Sequence, residues 1–127
     1  MYFAGILITG SVGAYTSTEV FIPDTGKTCS LSNLPDSRAY HTMNTLDNTP
    51  VICGGDYTDT SCLQLTPTSP DGVWTNYATT MESRGGHTSW VSSAGLVLMG
   101  GWWSSTTTEI VPSVPSGGSI SLIQNTR

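Results

Sequence analysis

Apolar positions along this chain come in short runs of four or five residues, separated by clusters of Gly, Pro, Asp, Asn and Ser. The middle of the sequence shows the pattern most clearly. Thr42 to Leu46 is followed by Asp47-Asn48, Pro50 to Cys53 by Gly54-Gly55, Ser61 to Leu65 by Ser69-Pro70-Asp71-Gly72, and then comes Val73 to Tyr77. Such β-rich runs bounded by turn residues predict a four-stranded antiparallel unit. No stretch sustains a helical period with caps, and Pro23, Pro35, Pro50, Pro67, Pro70, Pro112 and Pro115 interrupt the chain too often for helices. The expected fold class is all-β.

The unit repeats with a period of 45 to 46 residues. Arg38-x-x-His41-Thr42 returns as Arg84-x-x-His87-Thr88, and Gly54-Gly55 returns as Gly100-Gly101, with Thr9-Gly10 one period earlier. A further position keeps step: Cys29, Trp74 and Ile120 each lie 19 residues after the last glycine of their unit. This spacing divides residues 1–127 into units of about 1–35, 36–81 and 82–127. The runs GILIT, PVIC and LVLM that precede the glycines are apolar without alternation, as strands covered on both faces are.

A glycine pair closing an apolar strand, a Trp about 19 residues later and Arg-x-x-His opening the next unit resemble kelch repeats, most fully in RAYHTMNTLDNTPVICGG, GVW and MESRGGHTSW. The resemblance implies a partial β-propeller of about three blades of four-stranded antiparallel sheet, the first lacking its inner strand. Three blades do not close a ring, because propellers need about four to eight. The remaining blades of a longer protein, or a second copy, are therefore expected to cover the open faces, and the isolated chain is not expected to be a well-behaved monomer.

Composition narrows the function. Four basic residues, Lys27, Arg38, Arg84 and Arg127, are scattered, and the formal net charge is −5, which argues against nucleic acid. No apolar run approaches the ~20 residues of a membrane-spanning helix. Cys29, Cys53 and Cys62 form no metal-ligand pattern, and His41 and His87 fall at equivalent repeat positions, each expected to bond within its own blade. No catalytic group, metal or cofactor site is expected. Cys53 and Cys62 flank one hairpin loop, so pairing there would set them within bridging distance and favour an oxidising, extracellular compartment. Trp74 is expected between blades with its indole N–H on a carbonyl.

Strand parity puts the loop after strand two and the connection into the next strand one at the same end of the stack. Arg38, Arg84, Ser37, Ser83, Asp56, Tyr57, Trp102 and Trp103 therefore share a face. Two adjacent Trp in a loop do not both fit one core layer, so at least one is expected at the surface. Exposed Trp, Tyr and Arg on loops of a rigid scaffold suit a protein partner. The two arginines have a plainer reading, as partners of a carboxylate or of loop carbonyls in an adjacent blade. The competing class is an enzyme or a carbohydrate-binding propeller. Some kelch-like propellers resemble galactose oxidase, and SPDGVWT (Ser69 to Thr75) loosely resembles the Asp-box of sialidases, with one residue missing and the Thr displaced.

Overall fold

The computed structural model describes residues 5–13, 15–56, 60–102, 106–113 and 121–124, the last group for its backbone only. Eleven strands occur among these residues, in three antiparallel sheets. The first sheet holds β1 (Ile6–Thr9), β2 (Thr18–Ile22) and β3 (Lys27–Ser30). The second holds β4 (Thr42–Leu46), β5 (Thr49–Cys53), β6 (Ser61–Thr66) and β7 (Val73–Thr79). The third holds β8 (Thr88–Ser92), β9 (Gly95–Met99), β10 (Thr107–Val111) and β11 (Ser121–Gln124). Within each sheet the strands pair in chain order, and no sheet closes on itself. The described residues contain no helix, and so none long and apolar enough to cross a membrane.

Local chemistry sets the register. Asp47 and Asn48, the two residues between β4 and β5, adopt φ of 46° and 62°, the left-handed pair that a two-residue hairpin turn needs and that short polar side chains tolerate. The turn locks Leu46 opposite Thr49 and Thr42 opposite Cys53. That register sends alternate side chains of β5 into two different layers. Ile52 joins Leu34, Leu63, Leu65 and Trp74 against Leu7 and Leu31 of the first sheet and the connection after it, whereas Val51 and Cys53 join Leu96, Leu98 and Val111 of the third. A strand packed on both sides gains from apolar residues at every position, which is why PVIC does not alternate. Val51, Ile52 and Cys53 are all completely buried.

Trp74 is buried between the first and second sheets, and its indole N–H donates to the Thr18 hydroxyl of β2 at 3.1 Å, a hydroxyl rather than the expected carbonyl. Tyr77 does the corresponding work on the other side, donating from its hydroxyl to Pro112 O of the third sheet at 2.8 Å. Burial raises the Tyr77 pKa, with the Asp47 charge adding to the shift.

Cys53 and Cys62 stand opposite one another on β5 and β6 and form a disulfide, with Cα atoms 4.1 Å apart. Gly54 N–H donates to Ser61 O, so the cysteines occupy the neighbouring non-hydrogen-bonded pair, where antiparallel strands approach most closely. Closing a loop this short contributes about 2–3 kcal/mol through the unfolded chain. Cys29 is free and exposed on β3, at the repeat position that Trp74 fills in the second sheet.

The outward faces of the end sheets differ from the inner layers. Leu7 packs inward, while Ile6 and Ile8 on the opposite face of β1 are 57% and 48% exposed. On the third sheet Leu96 and Leu98 face the core, and Trp90 and Met99 on the opposite face are about two-fifths exposed.

The two tryptophans give a direct check on this layering. Trp74→Ala is expected to destabilise the chain by about 3–5 kcal/mol, as deletion of a buried aromatic does, and Trp90→Ala by less than about 1 kcal/mol. Chemical denaturation of both variants, with the disulfide intact, measures the contrast; equal losses would mean that Trp74 is not held between sheets.

Candidate functional site

Strand direction collects the connections 10–17, 31–41, 54–60, 80–87 and 100–106 at one end of the stack, and the connections 23–26, 47–48, 67–72, 93–94 and 112–120 at the other. Arg38, Arg84, Ser37, Ser83, Asp56 and Trp102 all belong to the first group. Tyr57 and Trp103 lie in the same connections by sequence but outside the described residues.

Arg38 and Arg84 are the largest fully buried side chains of the structure. Each closes the mouth of a hairpin. Arg38 donates from Nη1 to Gly54 O at 2.9 Å and Ser61 O at 2.8 Å, and from Nη2 to the Ser61 hydroxyl. Its Nε and Nη2 also bind the Asp36 carboxylate at 2.9 and 3.2 Å. Arg84 repeats the arrangement 46 residues on, with Nη1 to Gly100 O at 2.8 Å and Thr107 O at 3.0 Å and Nη2 to the Thr107 hydroxyl at 2.7 Å. The carbonyls at the open end of a β-ladder have no strand partner beyond them, and a planar guanidinium satisfies two at once. The carbonyls belong to the arginine's own sheet, not to an adjacent one. Neither guanidinium is presented to a partner, which corrects that part of the sequence reading: desolvated cations with full hydrogen bonding are structural groups.

The main chain of the same residue faces the other way. Gly55 N–H of the second sheet donates to Arg84 O at 2.8 Å, and Arg38 N–H donates to Tyr15 O of the first sheet at 2.8 Å. Gly54 makes this approach possible, since a Cβ there would lie 2.3 Å from Arg84 O.

Arg84 has one partner that Arg38 lacks. Glu109 on β10 is completely buried, accepts from Arg84 Nε at 2.9 Å and also accepts from Met81 N–H at 2.5 Å. The residue one period before Glu109 is Leu63, so the repeat gave no signal for it. Asp36, by contrast, is half-exposed.

The histidines bond across the sheet boundary rather than within one sheet. His41 Nε2 meets the Thr9 hydroxyl of β1, and His87 Nε2 meets the Thr42 hydroxyl of β4, each at 2.8 Å. They precede a sheet and lie beside the first strand of the sheet before it, and the side-chain-free glycines leave their rings room: a Cβ on Gly54 would lie 2.8 Å from His87 Cε1. Burial, then the Arg84 and His41 charges, lower the His87 pKa to about 4.

What reaches solvent at this end is aromatic. Trp102 is 58% exposed and Tyr40 52% exposed, and their rings meet edge to face with centroids 4.8 Å apart. The indole lies on Gly86, where a Cβ would come within 2.9 Å of it, and Trp102 N–H donates to Gly85 O. Tyr15 on the first sheet is also exposed. Ser37 is exposed, and Ser83 and Asp56 are half-buried. Tyr40 holds φ at 61°, the conformation that Gly86 adopts at 64° one repeat later. A bulky residue in that region is strained by about 1–2 kcal/mol. Tyr40 and Tyr15 went unnoticed in the sequence, yet a signal was present: Tyr40 stands where the next repeat has glycine.

The residues raised for enzymatic readings have local structural partners. The turn Ser69 to Gly72 docks on Ser32, which donates from its N–H to Asp71 O at 3.0 Å and from its hydroxyl to Gly72 O at 2.5 Å. Among the described residues no three His, Cys, Asp or Glu side chains gather as metal ligands would. No protein-family model matches this chain, and no curated protein matches it.

Two outcomes follow from the buried charges. Glu109→Ala removes the buried counter-charge of Arg84, leaving the part-exposed Glu82 at 3.6 Å, and is expected to cost about 3 kcal/mol, whereas Asp36→Ala removes an exposed partner and is expected to cost about 1 kcal/mol or less; urea melts separate the two. His87 has a folded-state pKa below its unfolded value near 6.5, so the unfolded chain binds the extra proton. Its contribution is present in full above about pH 6.5 and is lost as pH falls toward about 4, on the order of 2 kcal/mol after allowing for solvent screening. The same loss measured in His87→Gln would show that other groups carry it.

Proposed function

We propose that this chain is a protein-interaction module: part of a kelch-type β-propeller, with the three sheets as successive blades, that docks a partner on the end bearing Tyr40 and Trp102. One observation carries the reading. All five aromatic residues in connections between strands, Tyr15, Tyr40, Tyr57, Trp102 and Trp103, belong to connections of one end, and the connections of the other end contain none. A folding requirement would not sort loop aromatics by end, since both ends cap the same strands. A binding requirement would, because rigid aromatics at the centre of an interface supply most of its energy.

The scaffold suits the role. Buried arginines fix the loops at this end to the sheets, so the rings sit on an ordered base and little freedom is lost on docking. The strain at Tyr40 is retained at a position where glycine would relieve it, and retained strain in an exposed aromatic fits use of that side chain. The exposed outward faces of the first and third sheets fit contact with further blades. The disulfide fits an oxidising compartment.

Tyr40→Gly and Trp102→Ala are expected to change stability by no more than about 1 kcal/mol, because one relieves strain and the other removes an exposed ring. Together they should abolish capture of any partner retained by the wild-type chain. Asp47→Gly, at the opposite end and in a glycine-compatible turn, should leave capture intact. Affinity capture with the three proteins side by side, quantified by mass spectrometry, tests this; partners lost with Asp47→Gly and kept with the aromatic variants would reverse the assignment of faces.

A further inference from the structure

The end that carries the aromatic pair is also electrically one-sided. Among the described residues its connections hold three carboxylates, Asp36, Asp56 and Glu82, against two basic residues, Arg38 and Arg84. Both arginines are completely or almost completely buried, and their guanidinium donors face inward to Asp36, Glu109 and the hairpin carbonyls. Glu109 is buried with them, so the charged groups of these clusters that reach solvent are the carboxylates of Asp36 and Glu82 and not the guanidiniums. Asp36 is half-exposed and Glu82 about one-third exposed beside Arg84. Asp56 follows Gly55, whose N–H is tied to Arg84 O and where a Cβ would lie 3.1 Å from the carbonyl oxygen of Ala39, the residue before Tyr40. Asp36 thus shares a connection with Tyr40, Asp56 follows a glycine that packs beside Ala39, and Glu82 shares a connection with the Gly85 and Gly86 on which Trp102 rests. The whole chain carries a formal charge of −5, the same sign as this end.

From this we infer that the partner presents a cationic segment, with an Arg or Lys side chain laid against the Trp102 and Tyr40 rings and its charge balanced by Asp56, Glu82 and Asp36. The inference rests on the binding face described above and adds the chemistry of what binds there. An indole face attracts a guanidinium or ammonium through its quadrupole, and flanking carboxylates strengthen the contact and steer the approach. An acidic or phosphorylated segment meets the opposite situation, since the arginines that would receive it are spent within the fold.

A phage-displayed library of random dodecapeptides, selected against the intact immobilised chain, tests the chemistry and the face separately. The expected result is enrichment of peptides containing Arg or Lys beside an apolar residue. Their binding should fall about tenfold or more in Trp102→Ala and severalfold in Asp56→Asn, and weaken as ionic strength rises from about 0.05 to 0.5 M. Circular dichroism and thermal melts confirm that each variant is folded. Peptides that need Trp102 but lack Arg and Lys, or ignore Asp56→Asn and salt, overturn the cationic partner and leave the face standing. Peptides indifferent to both Trp102→Ala and Tyr40→Gly overturn the face as well. Failure of any peptide to enrich overturns the inference, and binding on a glycan array abolished by Trp102→Ala would assign the rings to a sugar instead.

Discussion

The end of this molecule that bears Tyr40 and Trp102 depends on a guanidinium placed at the mouth of a hairpin. An antiparallel ladder that stops leaves carbonyls pointing past the last pair, and in a stack of sheets those carbonyls lie where water has little access. Arg38 and Arg84 supply donors in a fixed plane at the right depth, each to two carbonyls and a hydroxyl. The price is a buried positive charge, met by Asp36 in one sheet and by Glu109, with Glu82 nearby, in the next. The loops that carry the aromatic rings are rooted in these same contacts. Loop order and surface chemistry are thus one problem with one solution.

Much of the fold was legible because it follows from repetition and from short-range chemistry. Runs of apolar residues without alternation marked β5 and β9, the Asp47-Asn48 pair marked a tight hairpin, and the glycines marked places where two backbones meet. The cross-strand disulfide followed once a hairpin was assumed between Cys53 and Cys62. These features need only nearest neighbours in sequence or in a sheet. The kelch-like resemblance remains a matter of motif, carried by the spacing of Arg, His, Gly and Trp.

The site was harder to read for the same reason in reverse. An arginine that opens a strand looks alike whether its side chain folds back into the ladder or reaches into solvent, and what decides is the position of carbonyls 16 and 23 residues away. Glu109 breaks the repeat, so no periodicity announced it. The histidines also misled, because a preference for bonding within one sheet takes no account of how closely glycine lets the next sheet approach. Tyr40 shows where the sequence had more to give: an aromatic at the place of a repeat glycine is a local conflict, and local conflicts retained in a fold are where function is worth seeking.

The two-faced use of the arginine residue bears on how such a chain grows. Its side chain knits the sheet that it introduces, while its own peptide group reaches back to the sheet before. A duplicated segment that begins just ahead of this residue therefore arrives with both its internal fastening and its attachment to whatever precedes it. New copies can be appended without inventing a new joint, and surface loops are left at liberty to diverge from one copy to the next. The contrast between the tyrosine of one copy and the glycine of the other is what such divergence looks like when the joint is conserved and the exposed residue beside it is not held to the same rule.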